Sequence, residues 1–367
     1  MNFYMPVRLI TGENCVRNNA AELRKYGARC LLVTGAHSAQ SCGALDDVIP
    51  ALKEAGVEYT HYSGIGANPT VKSCREAGEQ GAAFGADFVF GIGGGSAQDA
   101  AKAVAVFAAN PGMDEDGLYS LQWPNAPLPV VLCGTTSGTG SEVTNVSVLT
   151  DSKQRKHSIH VPALYARLAF GDPRYTASMS RALTLSTGID AFAHAAESYF
   201  NRKADVLSRT FAAKSIRMLY APLRKAAAGG ALTAQDRQDL YEASIFGGLA
   251  ISVTGTCFPH NVGYYLTENY GIPHGTACAV FHPAFIAHCE KAVPEVMKAF
   301  TGDTGLDAAA YAEFVKSCLP GLDVRMTKEE IAAALPRWEN NGTVRNTPGE
   351  ITLEFLRETL EGLFVRA

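Results

Sequence analysis

The chain has 367 residues, 47% of them hydrophobic and 19% charged, with 35 glycines and a formal net charge of −4. That length exceeds one ordinary hydrophobic core and predicts two domains, while the weakly acidic balance without a basic block excludes a nucleic-acid surface or an anionic membrane as the expected partner. No apolar run reaches the ~20 residues of a transmembrane helix, the start MNFYMPVRLITGENC does not read as a signal peptide, and nine cysteines scattered without a CxxC pair fit reduced thiols in a cytoplasmic protein.

In chain order, RCLLVTG (29–35) predicts a buried strand, LDDVIPALKEAG (45–56) a helix ending in glycine, VEYTHYSG (57–64) a second strand and VKSCREAGEQGAAFG (71–85) a second helix. ADFVFGIGGGS (86–96) predicts a third strand running into a glycine turn. AQDAAKAVAVFAAN (97–110) is the next helix, and PLPVVLCGTTSGTGSEVT (127–144) is a strand followed by a second glycine-rich, polar loop. This alternation argues for a parallel sheet with helices on both faces. The pattern changes near Asp172 and Pro173; long helical periods then dominate, at 180–200, 205–228 and 234–252. The expected organisation is an α/β domain over 1–176 and an all-helical domain over 177–367.

The two glycine-rich loops are candidate phosphate sites. In GIGGGSAQDAAK the three glycines leave room for a phosphate to approach the backbone, Ser96 can cap the following helix, and the free N–H groups there favour an anion. The spacing is not the GxGxxG fingerprint, and a plain tight turn is the alternative. TTSGTGSEVT adds a second such loop after a second apolar strand, and ligands of open α/β sheets bind at the carboxyl ends of the strands.

Asp190 and His194 lie four residues apart in STGIDAFAHAAESYF, so a helix places both on one face. Their neighbours are alanine, phenylalanine, isoleucine and leucine, which suggests burial, and a buried aspartate needs a cation or a donor network. His260 and His274, in PHNVGYYLTENYGIPHG, supply candidate partners. One Asp and three His suit a borderline divalent ion such as Fe²⁺ or Zn²⁺, whereas Mg²⁺ or Ca²⁺ would prefer oxygen ligands throughout. His282 and His288 have apolar company and read as packed side chains.

Together, GGGSAQDAAK, TTSGTGSEVT, GIDAFAHAAESY and PHNVGYYLTENYGIPHG resemble the iron-containing (group III) alcohol dehydrogenase family, of the dehydroquinate synthase-like superfamily, over roughly residues 7–363 and in the family's order. The resemblance implies a dinucleotide-binding α/β domain, a helical domain and an active site in the cleft. Its metal ligands fall on Asp190, His194, His260 and His274. Its pyrophosphate-binding residues fall on Gly94, Gly95 and Ser96, and its nicotinamide-side loop on Thr135, Thr136 and Thr139; Asn68 and Lys156 match positions that line the cofactor cleft. The implied chemistry is hydride transfer between a nicotinamide cofactor and a small primary alcohol, aldehyde or diol whose oxygen sits on the metal. A homodimer or larger assembly is common among relatives.

Two departures bear on function. Many members carry a further histidine four residues after the third ligand; here that position is Tyr264, a phenol that is a poor base near neutrality, read as a pocket wall or proton relay. NAD-preferring members often place an aspartate after the second-layer strand; here Gly35 stands there, with Ser38 and His37 nearby, so a 2′-phosphate is not repelled and NADP(H) is favoured over NAD(H). Phe192, Phe258, Tyr264 and Tyr265 are expected to give the pocket an aromatic lining. The competing readings are a glycerol- or polyol-type dehydrogenase, a cyclising lyase similar to dehydroquinate synthase, which should need several Lys and Arg near the metal, and a non-catalytic nucleotide-binding protein on the same scaffold.

Overall fold

Among the described residues, eight strands form in the first half of the chain: β1 (Arg8–Thr11), β2 (Arg29–Gly35), β3 (Glu58–Ile65), β4 (Phe88–Gly93), β5 (Val130–Gly134), β6 (Val146–Thr150), β7 (Lys156–His160) and β8 (Leu168–Gly171). The computed structural model describes residues 3–365. Six strands make one sheet in the order β1-β8-β5-β4-β2-β3, every neighbouring pair parallel. β4, β5 and β8 are buried along their whole length, as expected for a parallel sheet covered on both faces. Period-two alternation divides their side chains between two cores. Leu31, Val33, Val89 and Leu132 pack on one face with Ala101, Val104 and Phe107, while Cys30, Leu32, Phe90 and Val131 pack on the other with Leu23, Val48 and Leu52.

The chain runs from β2 outward to β3, then returns across β2 to β4 and continues to β5. The direction therefore reverses between β2 and β4, and the crevice at such a reversal is where open α/β sheets hold ligands. β1 and β8, four residues each, and the antiparallel β6–β7 hairpin add to the expected strands. The helix Val71–Phe84 is capped by Thr70, whose hydroxyl accepts from Ser73 N at 3.0 Å, and is stopped by Gly85 at φ 70°.

The described chain divides into two units. One comprises 3–180 together with 233–248, so the first part of the helix Ala234–Thr254 belongs with the sheet. The other comprises 181–232 and 249–365 and is helical. Its core is aromatic: Phe200 meets Phe285 and Phe300, and Phe192 meets Tyr311 and Phe314, with ring centroids 4.8–6.0 Å apart. The helix Phe258–Tyr270 carries Pro259 in its first turn, where no N–H is needed, and ends at Gly271 in the left-handed region.

Candidate functional site

Four side chains from three helices meet inside the helical unit. Asp190 and His194 come from Arg181–Phe200, His260 from the first turn of Phe258–Tyr270, and His274 from the start of His274–Ala279. His260 Nε2 lies 3.4 Å from Asp190 Oδ1, His274 Nε2 3.8 Å and His194 Nε2 4.0 Å. The His194 and His260 rings stack with centroids 4.4 Å apart. Asp190, His194 and His260 are no more than 5% exposed. Yet Asp190 Oδ1, His194 Nδ1 and His260 Nε2 make no hydrogen bond of acceptable geometry. Buried polar atoms are normally paired; an oxygen and imidazole nitrogens left unpaired in one cluster could hold a divalent ion.

The close approach rests on Gly275. A Cβ there would fall 1.9 Å from Ser186 O and 2.7 Å from Asp190 Cβ. Only a glycine lets the His274 helix lie against the Asp190 helix.

Glu197 organises the cluster from behind. It is fully buried, three residues beyond His194, on the face that carries Asp190 and His194. Its Oε1 accepts from His260 Nδ1 at 2.5 Å and from His282 Nε2 at 3.0 Å, and its Oε2 accepts from Cys257 N at 2.6 Å. His282 continues the chain to Tyr311 OH at 2.6 Å. A carboxylate on Nδ1 fixes the direction of the His260 ring and keeps a proton on Nδ1, so that Nε2 could bind a metal once it gives up the proton the two carboxylates favour. Burial opposes ionisation of Asp190 and Glu197, but the surrounding histidines outweigh it and hold both carboxyls well below the usual range. Burial likewise opposes the His260 imidazolium, and the Glu197 and Asp190 carboxylates overcome it and raise its pKa. Burial pushes His194 down to about 4, so its ring is neutral and available as a donor. The spacing 190, 194, 197 was the sequence signal for Glu197: three polar residues on one stripe of an otherwise apolar helix.

Tyr264 stacks on the His274 ring, with centroids 5.3 Å apart and planes at 18°. The expected aromatic lining is otherwise corrected. Phe192 and Phe258 are fully buried in the core, and Tyr265 packs on Trp338 beneath the Arg337 guanidinium. Arg181 is spent on carbonyls at the end of Val206–Ala227, and Lys214 is exposed on that helix, so neither supplies the cationic surroundings a cyclase of phosphorylated acids would require.

In the sheet unit, the cofactor candidates gather at the carboxyl ends of β2, β4 and β5. Gly94 and Gly95 pack on the threonine loop: a Cβ on Gly94 would meet Thr136 Oγ1 at 2.9 Å, and one on Gly95 would meet Thr139 Cγ2 at 2.4 Å. Thr135 N donates to Gly93 O at 3.0 Å. Ser96 does not cap the helix Gly95–Ala109; Gly94 holds the cap position without a side-chain bond. The Ser96 hydroxyl instead donates to Ala67 O, which ties the glycine turn to the loop carrying exposed Asn68. Gly35 ends β2 beside Ile65 O and Ser38 Oγ, and no carboxylate occurs between Thr34 and Ser41. Lys156 opens β7 opposite Thr150 and acts electrostatically on Asp99.

Sequence reading missed the support beneath these loops. The fully buried Lys102 ammonium donates to Ser141 O (2.9 Å), Ser141 Oγ (2.7 Å) and Val146 O (2.8 Å), and Asp99 accepts from Ser141 Oγ (2.6 Å) and Val148 N (2.9 Å). Burial lowers the Lys102 pKa to about 8.

Comparison with known proteins gives one answer across the chain. Residues 6–173 match the model of the iron-containing alcohol dehydrogenases, and residues 184–335 match that of the C-terminal region of the Fe-containing alcohol dehydrogenase family. Long-chain-alcohol dehydrogenase 1 of Geobacillus thermodenitrificans is 34% identical over 80% of this chain and 75% of its own. The crystal structure of an iron-containing alcohol dehydrogenase from Thermotoga maritima superposes with a TM-score of 0.91 at 34% identity, covering 99% of both chains. That of a sulfoacetaldehyde reductase from Bifidobacterium kashiwanohense in complex with NAD⁺ superposes with a TM-score of 0.86 at 26% identity, covering 99% of this chain and 98% of that one. With its two halves matched in order and its fold shared over the whole length, this chain belongs to the iron-containing alcohol dehydrogenase family.

Proposed function

We propose that this alcohol dehydrogenase holds one divalent ion, Fe²⁺ or Zn²⁺, on Asp190, His194, His260 and His274. We further propose that it transfers hydride between a nicotinamide dinucleotide and a small primary alcohol, aldehyde or diol. The observation that carries the reading is that two unpaired buried atoms, Asp190 Oδ1 and His260 Nε2, stand 3.4 Å apart beside His274, with His194 Nε2 4.0 Å from the same oxygen. When bound, the ion supplies Lewis acidity to a substrate oxygen, and the nicotinamide gives or takes the hydride.

The chain's own residues do the rest. Glu197 fixes the tautomer and direction of His260. Gly94, Gly95 and Ser96 leave the backbone open to a pyrophosphate at a helix start, while Thr135, Thr136 and Thr139 form the facing loop; Asn68, on the loop tied to the glycine turn, and Lys156, at the start of β7, are read as lining the cofactor cleft. Tyr264, whose ring stacks on that of His274, serves as a wall and hydrogen-bond donor. For the dinucleotide, the absence of a carboxylate between Thr34 and Ser41 supports NADP(H), with Ser38 as the nearest hydroxyl to Gly35. The sulfoacetaldehyde reductase named above was crystallised with NAD⁺, so the preference is the first quantity to measure. A homodimer or larger cytoplasmic assembly completes the reading; among the described residues no helix is long and apolar enough to cross a membrane.

The test is metal analysis of the purified protein with an absorbance assay of NADPH and NADH oxidation over a panel of aldehydes. One ion per chain and aldehyde-dependent oxidation are expected. Absence of both metal and turnover would mark a nucleotide-binding protein instead, and a tenfold or greater preference for NADH would overturn the NADP(H) reading.

A further inference from the structure

We propose that the Cys278 thiolate is an additional protein donor to the ion, a soft ligand that the Asp and three His set does not include. This rests on the metal reading above. Cys278 lies four residues after His274 on the helix His274–Ala279, so both side chains leave the same face. Its sulfur is 3.6 Å from His274 Nδ1 and 3.8 Å from His274 Nε2. One ligand atom each from Asp190, His260, His274 and Cys278 falls within 4.8 Å of all the others. Donors that share one ion at ~2.0–2.3 Å lie at most ~4.6 Å apart, so the 4.8 Å spread stands just beyond that limit and the side chains must draw inward when the ion binds.

The backbone holds it there. Gly263, on the helix that carries His260, abuts Cys278: a Cβ would meet both Cys278 Cα and Cys278 Sγ at 2.8 Å. The unpaired Asp190 Oδ1 and His260 Nε2, on residues at least 97% buried, point into the same space. On binding, the S–H bond breaks as the S–metal bond forms, the proton leaves to solvent, and no electrons are transferred. A thiolate moves the site's preference toward Zn²⁺, Co²⁺ and Cd²⁺ and away from Mg²⁺ and Mn²⁺.

The experiment is Co²⁺ substitution of the full-length enzyme, read by absorbance. The wild type is expected to take one Co²⁺ per chain and show a sulfur-to-cobalt charge-transfer band in the near ultraviolet. Cys278→Ser should keep the ion and lose the band. X-ray absorption of the Zn²⁺-loaded wild type, which needs no variant, should show one sulfur scatterer at ~2.3 Å. An ion that is bound, and lost in Asp190→Asn, but shows no charge-transfer band and no sulfur scatterer overturns the cysteine proposal and leaves the metal reading standing. So does a band that survives in Cys278→Ser. Failure of the wild type to bind Co²⁺ or Zn²⁺ overturns both.

Discussion

Each unit of this protein buries charge, and they do so in opposite ways. In the sheet unit, the Lys102 ammonium is surrounded by two carbonyls and two hydroxyls, with Asp99 beside it, so its charge is met from within the chain. In the helical unit, Glu197 is as fully satisfied, but the layer it supports is not: Asp190 and His260 stand 3.4 Å apart without completing a bond. A satisfied buried charge is scaffold, because its partners are already present. An unsatisfied one needs a group from outside, because desolvation without compensation costs several kcal/mol.

The sharpest way to break this comparison is to remove a member of the unsatisfied layer. His274→Ala, or Asp190→Asn, is expected to abolish metal content and aldehyde-dependent turnover while far-ultraviolet circular dichroism stays that of the wild type. Unchanged activity would exclude the ligand assignment. Removing a member of the satisfied layer should do the reverse. Lys102→Met strands Asp99 and two carbonyls and should cost about 3–5 kcal/mol in urea unfolding, with one ion per chain retained; a loss under 1 kcal/mol would mean the loops do not depend on that ammonium.

Smaller effects test the boundary between the layers. Glu197→Gln keeps the shape but weakens the acceptor behind His260, and should lower metal affinity by about 10–100-fold in chelator competition. No change would separate Glu197 from the site. Tyr264→Phe removes one hydroxyl beside His274 and should change kcat/KM by less than about tenfold, the scale of a single hydrogen bond; a larger drop confined to kcat would make Tyr264 a proton carrier.

Which parts were legible in the sequence follows the same division. β2, β4 and β5 announce themselves as apolar runs ending in glycine and hydroxyl clusters, and the four candidate ligands stand out because Asp and His are rare on apolar helices. β1 and β8 were missed because a four-residue strand is too short for its period to separate from background. Lys102 carries no signal in AQDAAKA, since its partners Ser141 and Val146 lie about forty positions away and are brought near only by the fold. Phe192 and Phe258 were assigned to a pocket wall because core and lining share a composition, and only packing tells them apart.

Gly275 opens a practical route into this centre. Because its missing side chain is the space in which Ser186 and Asp190 sit, a single added methyl would wedge two helices apart without altering any ligand. Gly275→Ala and bulkier replacements thus form a graded series of displaced centres. If these residues hold an ion as proposed, such a series would let an engineer set how firmly it is gripped by choosing a volume rather than a chemical group.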